Sequence, residues 1–177
     1  MDKIAYALLI AGAMGIVGCG ANLAGASLIT EPDGSRVVLI TDSPGGNIDA
    51  FDRAFKNWSQ IPGVTVEIRR WCASACTQVL SHFDPAQICL SPGSRLGFHS
   101  ATAQRNFTTW GRMSPGLSAA AQDVASISTL LMYAGYPGWV QLRLSSAGSM
   151  GFAAGNRAAT LSADEFWRHG YRVCTVG

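Results

Sequence analysis

The sequence is poor in charge. Charged residues make up 14% of its 177 positions, and 13 basic against 11 acidic residues leave a net charge of +2. No basic cluster exceeds the pair Arg69–Arg70, so the electrostatic footprint of a nucleic-acid binder is missing. Lysine is scarcer still. Lys3 stands at the N-terminus and Lys56 late on a predicted helix, neither placed to activate a serine, which sets a Ser–Lys dyad aside. The five cysteines include no C-x2-C. Cys72 and Cys76 form C-x3-C, and no second Cys/His pair lies at ligand spacing, so neither a metal nor another cofactor is expected. Internal repeats and low-complexity tracts are absent.

What is abundant is apolar. Hydrophobic residues reach 48%, which excludes a disordered chain and implies a surface partly covered by something other than water, as in a self-associating protein. The length suits one domain. The cysteines read as buried thiols, with a single disulfide, for instance one involving Cys89, open to an exported chain.

Residues 1–29 admit two readings. Met1-Asp2-Lys3 and the apolar run from Ile4 to Val17 resemble a signal peptide that ends in a lipobox-like Ile16-Val17-Gly18-Cys19, which would anchor the chain to a membrane through Cys19. Alternatively 4–10 is a buried strand and 19–29 a helix, with Leu23, Ala26, Leu28 and Ile29 roughly at helical spacing. The n-region carries one lysine beside an aspartate, weak for export, and the run is short for a membrane span.

Further along, Glu31-Pro32-Asp33-Gly34 is a turn signal. Val37 to Ile40 reads as a fully buried strand, being β-branched and not alternating. Ile48, Phe51, Phe55 and Trp58 make a helical stripe over 48–58 that Pro62-Gly63 stops. Val64, Val66 and Ile68 alternate as a strand; Ala75 to Phe83 reads as a helix, and 88–90 and 96–98 as short strands. Alternating strands and helices predict an α/β domain with a mainly parallel sheet. Beyond it, 101–116 reads as a loop, 117–133 and 139–146 as helices, and Ser162 as the N-cap of a last helix with Glu165 at the capping-box position.

Three stretches fall at predicted strand ends, where sites in such sheets gather: Ser43-Pro44-Gly45-Gly46-Asn47, Cys72-Ala73-Ser74-Ala75-Cys76 and Gly97-Phe98-His99-Ser100. Ser74 opens a helix, where a nucleophile gains from the dipole and the free N–H groups, and the Ala75 N–H is placed to stabilise an oxyanion. The plain alternative is that Ser74 is an N-cap. Gly45-Gly46 lets the backbone approach a ligand, supply a second oxyanion N–H and pair with an extended substrate. Of three histidines, His82 lies about 12 Å from Ser74 along a helix axis. His169 reads as a surface residue of the last helix, which leaves His99 as general base.

Ser-Pro-Gly-Gly, a small-Ser-small helix start and an apolar–His strand end together resemble the Clp protease proteolytic subunit and its relatives, serine peptidases of the ClpP/crotonase superfamily. The spacings of 28 residues from Gly46 to Ser74 and 25 from Ser74 to His99 are similar, as is the late Leu161-Ser162-Ala163-Asp164-Glu165 … Gly170. Cys-Ala-Ser-Ala-Cys and Arg95-Leu96-Gly97-Phe98-His99 look closest to small Clp-like proteins of bacteria, many predicted to be periplasmic. The resemblance implies a single Clp-like domain over 1–177 with a repeated β-β-α spiral fold, a C-terminal helical region over 117–146 and assembly into homo-oligomers. It implies a peptidase acting on peptide or protein substrates, with Ser74 as nucleophile, His99 as base, Gly46 and Ala75 as oxyanion donors, and Gly45, Asn47 and Ser100 along the substrate cleft. The family's third member, an aspartate before Leu-Ser-Ala, is missing. Asn156-Arg157-Ala158-Ala159-Thr160 stands there, so Asn156 is the candidate to orient the imidazole, and a slow enzyme, a dyad or an inactive scaffold follows. The family's first strand also favours the folded reading of 1–29 and a cytoplasmic chain, with export as the alternative.

Overall fold

The computed structural model describes residues 23–99, 130–145 and 159–175. The expectations for 4–10, Cys19, Ser100, the 101–116 loop, most of helix 117–133 and Asn156 lie outside the described residues.

The first described element corrects the expected helix at 19–29. Strand β1 (Ala26–Thr30) pairs antiparallel with β2 (Arg36–Ser43), from Ala26↔Ile40 to Thr30↔Arg36. The turn between them closes with Glu31 N–H donating to the Ser35 carbonyl (2.9 Å), and Asp33 accepts from the Ser35 N–H at 2.9 Å. At its other end Gly25 has φ 72°, and a Cβ there would sit 2.2 Å from the Asp42 carbonyl oxygen. The spacing of Leu23, Ala26 and Leu28 suited a helix. The hairpin forms because pairing along β2 satisfies an edge of backbone groups that a helix would leave open.

The chain continues through α1 (Ile48–Ser59), β3 (Thr65–Ala73), a 3₁₀ turn (Ser74–Gln78) and α2 (Val79–His82). A second 3₁₀ turn (Pro85–Gln87), β4 (Ile88–Leu90) and β5 (Arg95–Phe98) follow. After a helical stretch at 130–135 come α3 (Gly138–Leu144), β6 (Ala159–Ser162), α4 (Ala163–Trp167) and β7 (Arg172–Val173). The seven strands form one mixed sheet in the order β1-β2-β3-β4-β7, with β5 pairing β3 and β6 pairing β5. β3 is parallel to β2, β4 and β5, β4 is parallel to β7, and the β1–β2 and β5–β6 pairs are antiparallel. The domain is α/β, as expected.

Two further expectations are corrected, one by burial and one by local bonding. Val38 and Ile40 are fully buried, whereas Val37 and Leu39 on the other face are only partly so. β2 is therefore a one-faced strand, with α1 packed on the closed face. There Phe51 and Phe55 are buried, and Phe55 meets Trp58 and Phe83 edge-on at 5.7 and 6.3 Å. Each such ring contributes about 2–3 kcal/mol. The helix expected at 75–83 is a 3₁₀ turn followed by one short α turn, because Thr77 Oγ1 donates to the Ser74 carbonyl and the Cys72–Cys76 bridge tightens the entry.

The C-terminal elements close the sheet. Ser162 caps α4 and Glu165 accepts from the Ser162 N–H at 2.9 Å, the predicted capping box. Trp139 packs edge-on against Phe166 (4.9 Å), while His169, read as a plain surface residue, stacks flat on Trp139 at 4.0 Å. The cysteines correct the reading of buried thiols. Cys72 is bonded to Cys76, and Cys89 on β4 is bonded to Cys174 after β7.

Candidate active site

Ser74 follows the last residue of β3 and is the only non-glycine residue with positive φ among the described residues, at 55°. A side chain in that left-handed region costs about 1–2 kcal/mol and persists only where the surroundings impose it. The N-cap reading of Ser74 does not hold. Ala73, with φ −120° and ψ 160°, occupies the cap position, and Ser74 stands on the turn itself.

Three features impose the turn. The Cys72–Cys76 disulfide spans it, with both cysteines fully buried and their Cα atoms 5.4 Å apart. Thr77 Oγ1 donates to the Ser74 carbonyl at 2.6 Å. The Tyr136 hydroxyl lies 2.6 Å from the same Thr77 oxygen. Thr77 has one proton and a carbonyl can only accept, so Tyr136 is the donor in that pair. Burial pushes the Tyr136 phenol up to about 12. Its ring meets Phe98 edge-on at 5.4 Å, and Phe98 immediately precedes His99. Tyr136 thus touches both the serine turn and the strand that delivers the histidine. Sequence reasoning missed it, since a tyrosine before Pro137-Gly138 carries no local mark of such a role.

The glycine turn is brought against Ser74. Gly45 is buried with φ 85°, and a Cβ on it would lie 2.5 Å from the Ala73 carbonyl oxygen, 2.6 Å from Ser74 Cβ and 2.9 Å from the Ala75 nitrogen. Only a glycine lets the two backbones meet there. The Gly45 N–H faces Ser43 Oγ at 3.4 Å, while the Gly46 N–H has no acceptor among the described residues. Ala75 lies in the first turn after β3, where N–H groups lack intrahelical acceptors. Asn47, expected along the cleft, caps α1, its side-chain oxygen accepting from the Ala50 N–H at 2.9 Å.

His99 directly follows β5, which runs parallel to β3 with Ala73 opposite Gly97. Ser74 and His99 therefore leave the carboxyl ends of adjacent strands, which lie about 4.8 Å apart. Gly97 is fitted to Trp71, since a Cβ there would fall 2.4 Å from the indole ring. His82, set aside on distance, has another partner: its Nε2 lies 2.9 Å from Asp52 on α1, tying α2 to α1. Ser100 and Asn156 lie outside the described residues, and with them the assignment of a group to orient His99. Neither a family model nor a curated protein matches the sequence.

Proposed function

We propose that the chain is a serine peptidase-like hydrolase that cleaves peptide bonds through an acyl-enzyme on Ser74. The observation that carries this reading is Ser74 at φ 55° on the strand-to-helix turn, with the Gly45 backbone packed against its Cβ and against the Ala75 nitrogen. A strained, half-buried serine at the start of a turn, with a glycine turn packed against it, is an arrangement suited to acyl transfer. His99 takes the Oγ proton as Oγ attacks the scissile carbonyl. The Gly46 and Ala75 N–H groups receive the oxyanion, and His99 returns the proton to the leaving amine. The order β1-β2-α1-β3-α2-β4-β5, with β5 pairing both β3 and β6, is consistent with a ClpP/crotonase-like spiral of β-β-α units.

The two disulfides fit folding in an oxidising compartment, the exported alternative. Leu130, Leu131 and Leu142, each about 70% exposed, suit a homo-oligomer contact and favour, as second reading, a scaffold that binds extended peptides without cleaving them. A fluorophosphonate probe separates the two. Labelling of the wild type that vanishes in Ser74→Ala supports the hydrolase. Absent labelling, with peptide binding unchanged by Ser74→Ala, supports the scaffold.

A further inference from the structure

β3 changes neighbours halfway along its length. Its first half pairs β4, as far as Ile68↔Leu90, and its last three residues pair β5, from Trp71↔Arg95 onward. Between these ladders the chain crosses from β4 to β5 through a turn closed by the Ser94 N–H donating to the Ser91 carbonyl at 3.0 Å. The fork opens a cleft of about 330 Å³ lined by Asp42, Arg69, Arg70, Trp71, Arg95 and the Pro92-Gly93 turn. Its cations differ in state. Arg69 is held by Glu67 through two bonds of 2.9 and 3.1 Å. Arg70 and Arg95 make no salt bridge among the described residues, and both are exposed. Two such guanidinium groups thus face one lining carboxylate, Asp42. Trp71, seated against Gly97, lines the same cleft and supplies its aromatic surface.

We propose that this fork is a substrate subsite for a peptide carboxylate. Guanidinium forks bind carboxylates in bidentate fashion, and the indole face suits the aliphatic stem that carries one. Trp71 on β3 stands three residues before Ser74, which follows the strand directly, about 10 Å at 3.3 Å per residue. An extended peptide lying along β3 with its carboxylate in the fork therefore presents to Ser74 a bond about three residues away. The carboxylate is either an acidic side chain at that position or the free C-terminus. The inference rests on the peptide-binding reading of the Ser74 site and adds the selectivity of that site.

The test uses a fluorescein-labelled eight-residue Ala/Ser peptide and variants of it with one Glu moved along the chain, each as C-terminal acid and amide. Binding is measured to Ser74→Ala protein, so that it reports the fork whether or not the wild type cleaves. Acidic peptides are expected to bind about tenfold tighter than the neutral amide, and the advantage should disappear in Arg70→Gln/Arg95→Gln and in 0.5 M salt. Tighter binding with Glu at one position assigns the side chain, and tighter binding of every acid over its amide assigns the C-terminus. Equal binding of all peptides overturns the proposal, as does a double variant that weakens all peptides alike. If acidic peptides bind as expected but fluorophosphonate labelling fails, the fork stands and the hydrolase reading falls. If the wild type cleaves peptides with no acidic preference, the hydrolase reading stands and the fork falls. Both arginines are exposed, and an unchanged circular dichroism melt of the double variant shows that folding is not the cause.

Discussion

The two disulfides close rings of very different size. Cys72 and Cys76 are separated by 4 residues and enclose Ser74; Cys89 and Cys174 are separated by 85 and join β4 to the chain that leaves β7. A long ring removes much entropy from the unfolded chain, about 4–5 kcal/mol in the loop-closure picture, while a short ring of this kind removes about 2 kcal/mol. The long ring is therefore chiefly a clamp on the whole fold. The short one adds modestly to stability, and its distinctive effect is local, in holding a serine at a backbone angle it would otherwise leave.

Breaking each ring in turn sharpens that contrast. Cys89→Ser/Cys174→Ser should lose about 4 kcal/mol in urea unfolding and, at a temperature where the variant is folded, label with fluorophosphonate at the wild-type rate. A wild-type unfolding midpoint in that variant would contradict the clamp. Alkali should act nearly as strongly. The folded Tyr136 phenol keeps its proton to about 12, whereas an unfolded tyrosine loses it near 10. Between those values the unfolded chain binds fewer protons, so stability falls as pH rises, by up to about 3 kcal/mol. Tyr136→Phe should remove its share of that loss and leave the share of Tyr171, whose phenol burial also pushes up to about 12.

At the site, Gly45→Ala should slow labelling about hundredfold, since the added methyl lands within 3 Å of Ala73, Ser74 and Ala75 and displaces one backbone from the other. Unchanged labelling would mean that this close approach has no part in the reaction. Cys72→Ser/Cys76→Ser should cost only about 2 kcal/mol in unfolding and yet reduce labelling about tenfold, the reverse of the long ring's balance. The smallest effect is expected from Tyr136→Phe at neutral pH. It removes one donor to Thr77, costs about 1 kcal/mol and leaves Ser74 reactive.

The strand and helix order from 36 to 99 was legible because its signals are local: the 48–58 stripe, the Pro-Gly stops and the β-branched runs. The three strand-end stretches were legible for the same reason. Where the reading failed, contacts that apolar periodicity does not report decided. Ala26–Thr30 is a strand because β2 offers it an edge, and Val37 and Leu39 are half-buried because one sheet face is covered by α1 and the other is not. The 3₁₀ turn at Ser74–Gln78 follows from a disulfide and from Thr77 bonding back to Ser74, neither of which apolar periodicity reports.

By itself the sequence determined the class of fold, the three strand-end stretches, the capping box at Ser162 and the choice of Ser74, His99, Gly46 and Ala75 as candidates, because propensity, spacing and residue chemistry act over a few positions. Only the tertiary structure decided that Ser74 adopts φ 55° rather than capping a helix, that Gly45 presses against it, that Tyr136 links its turn to the strand of His99, and that Cys72 pairs with Cys76 and Cys89 with Cys174. Each of those depends on atoms far apart in sequence or on a strain held by packing. Such facts come from three-dimensional closure, which no local window of residues contains.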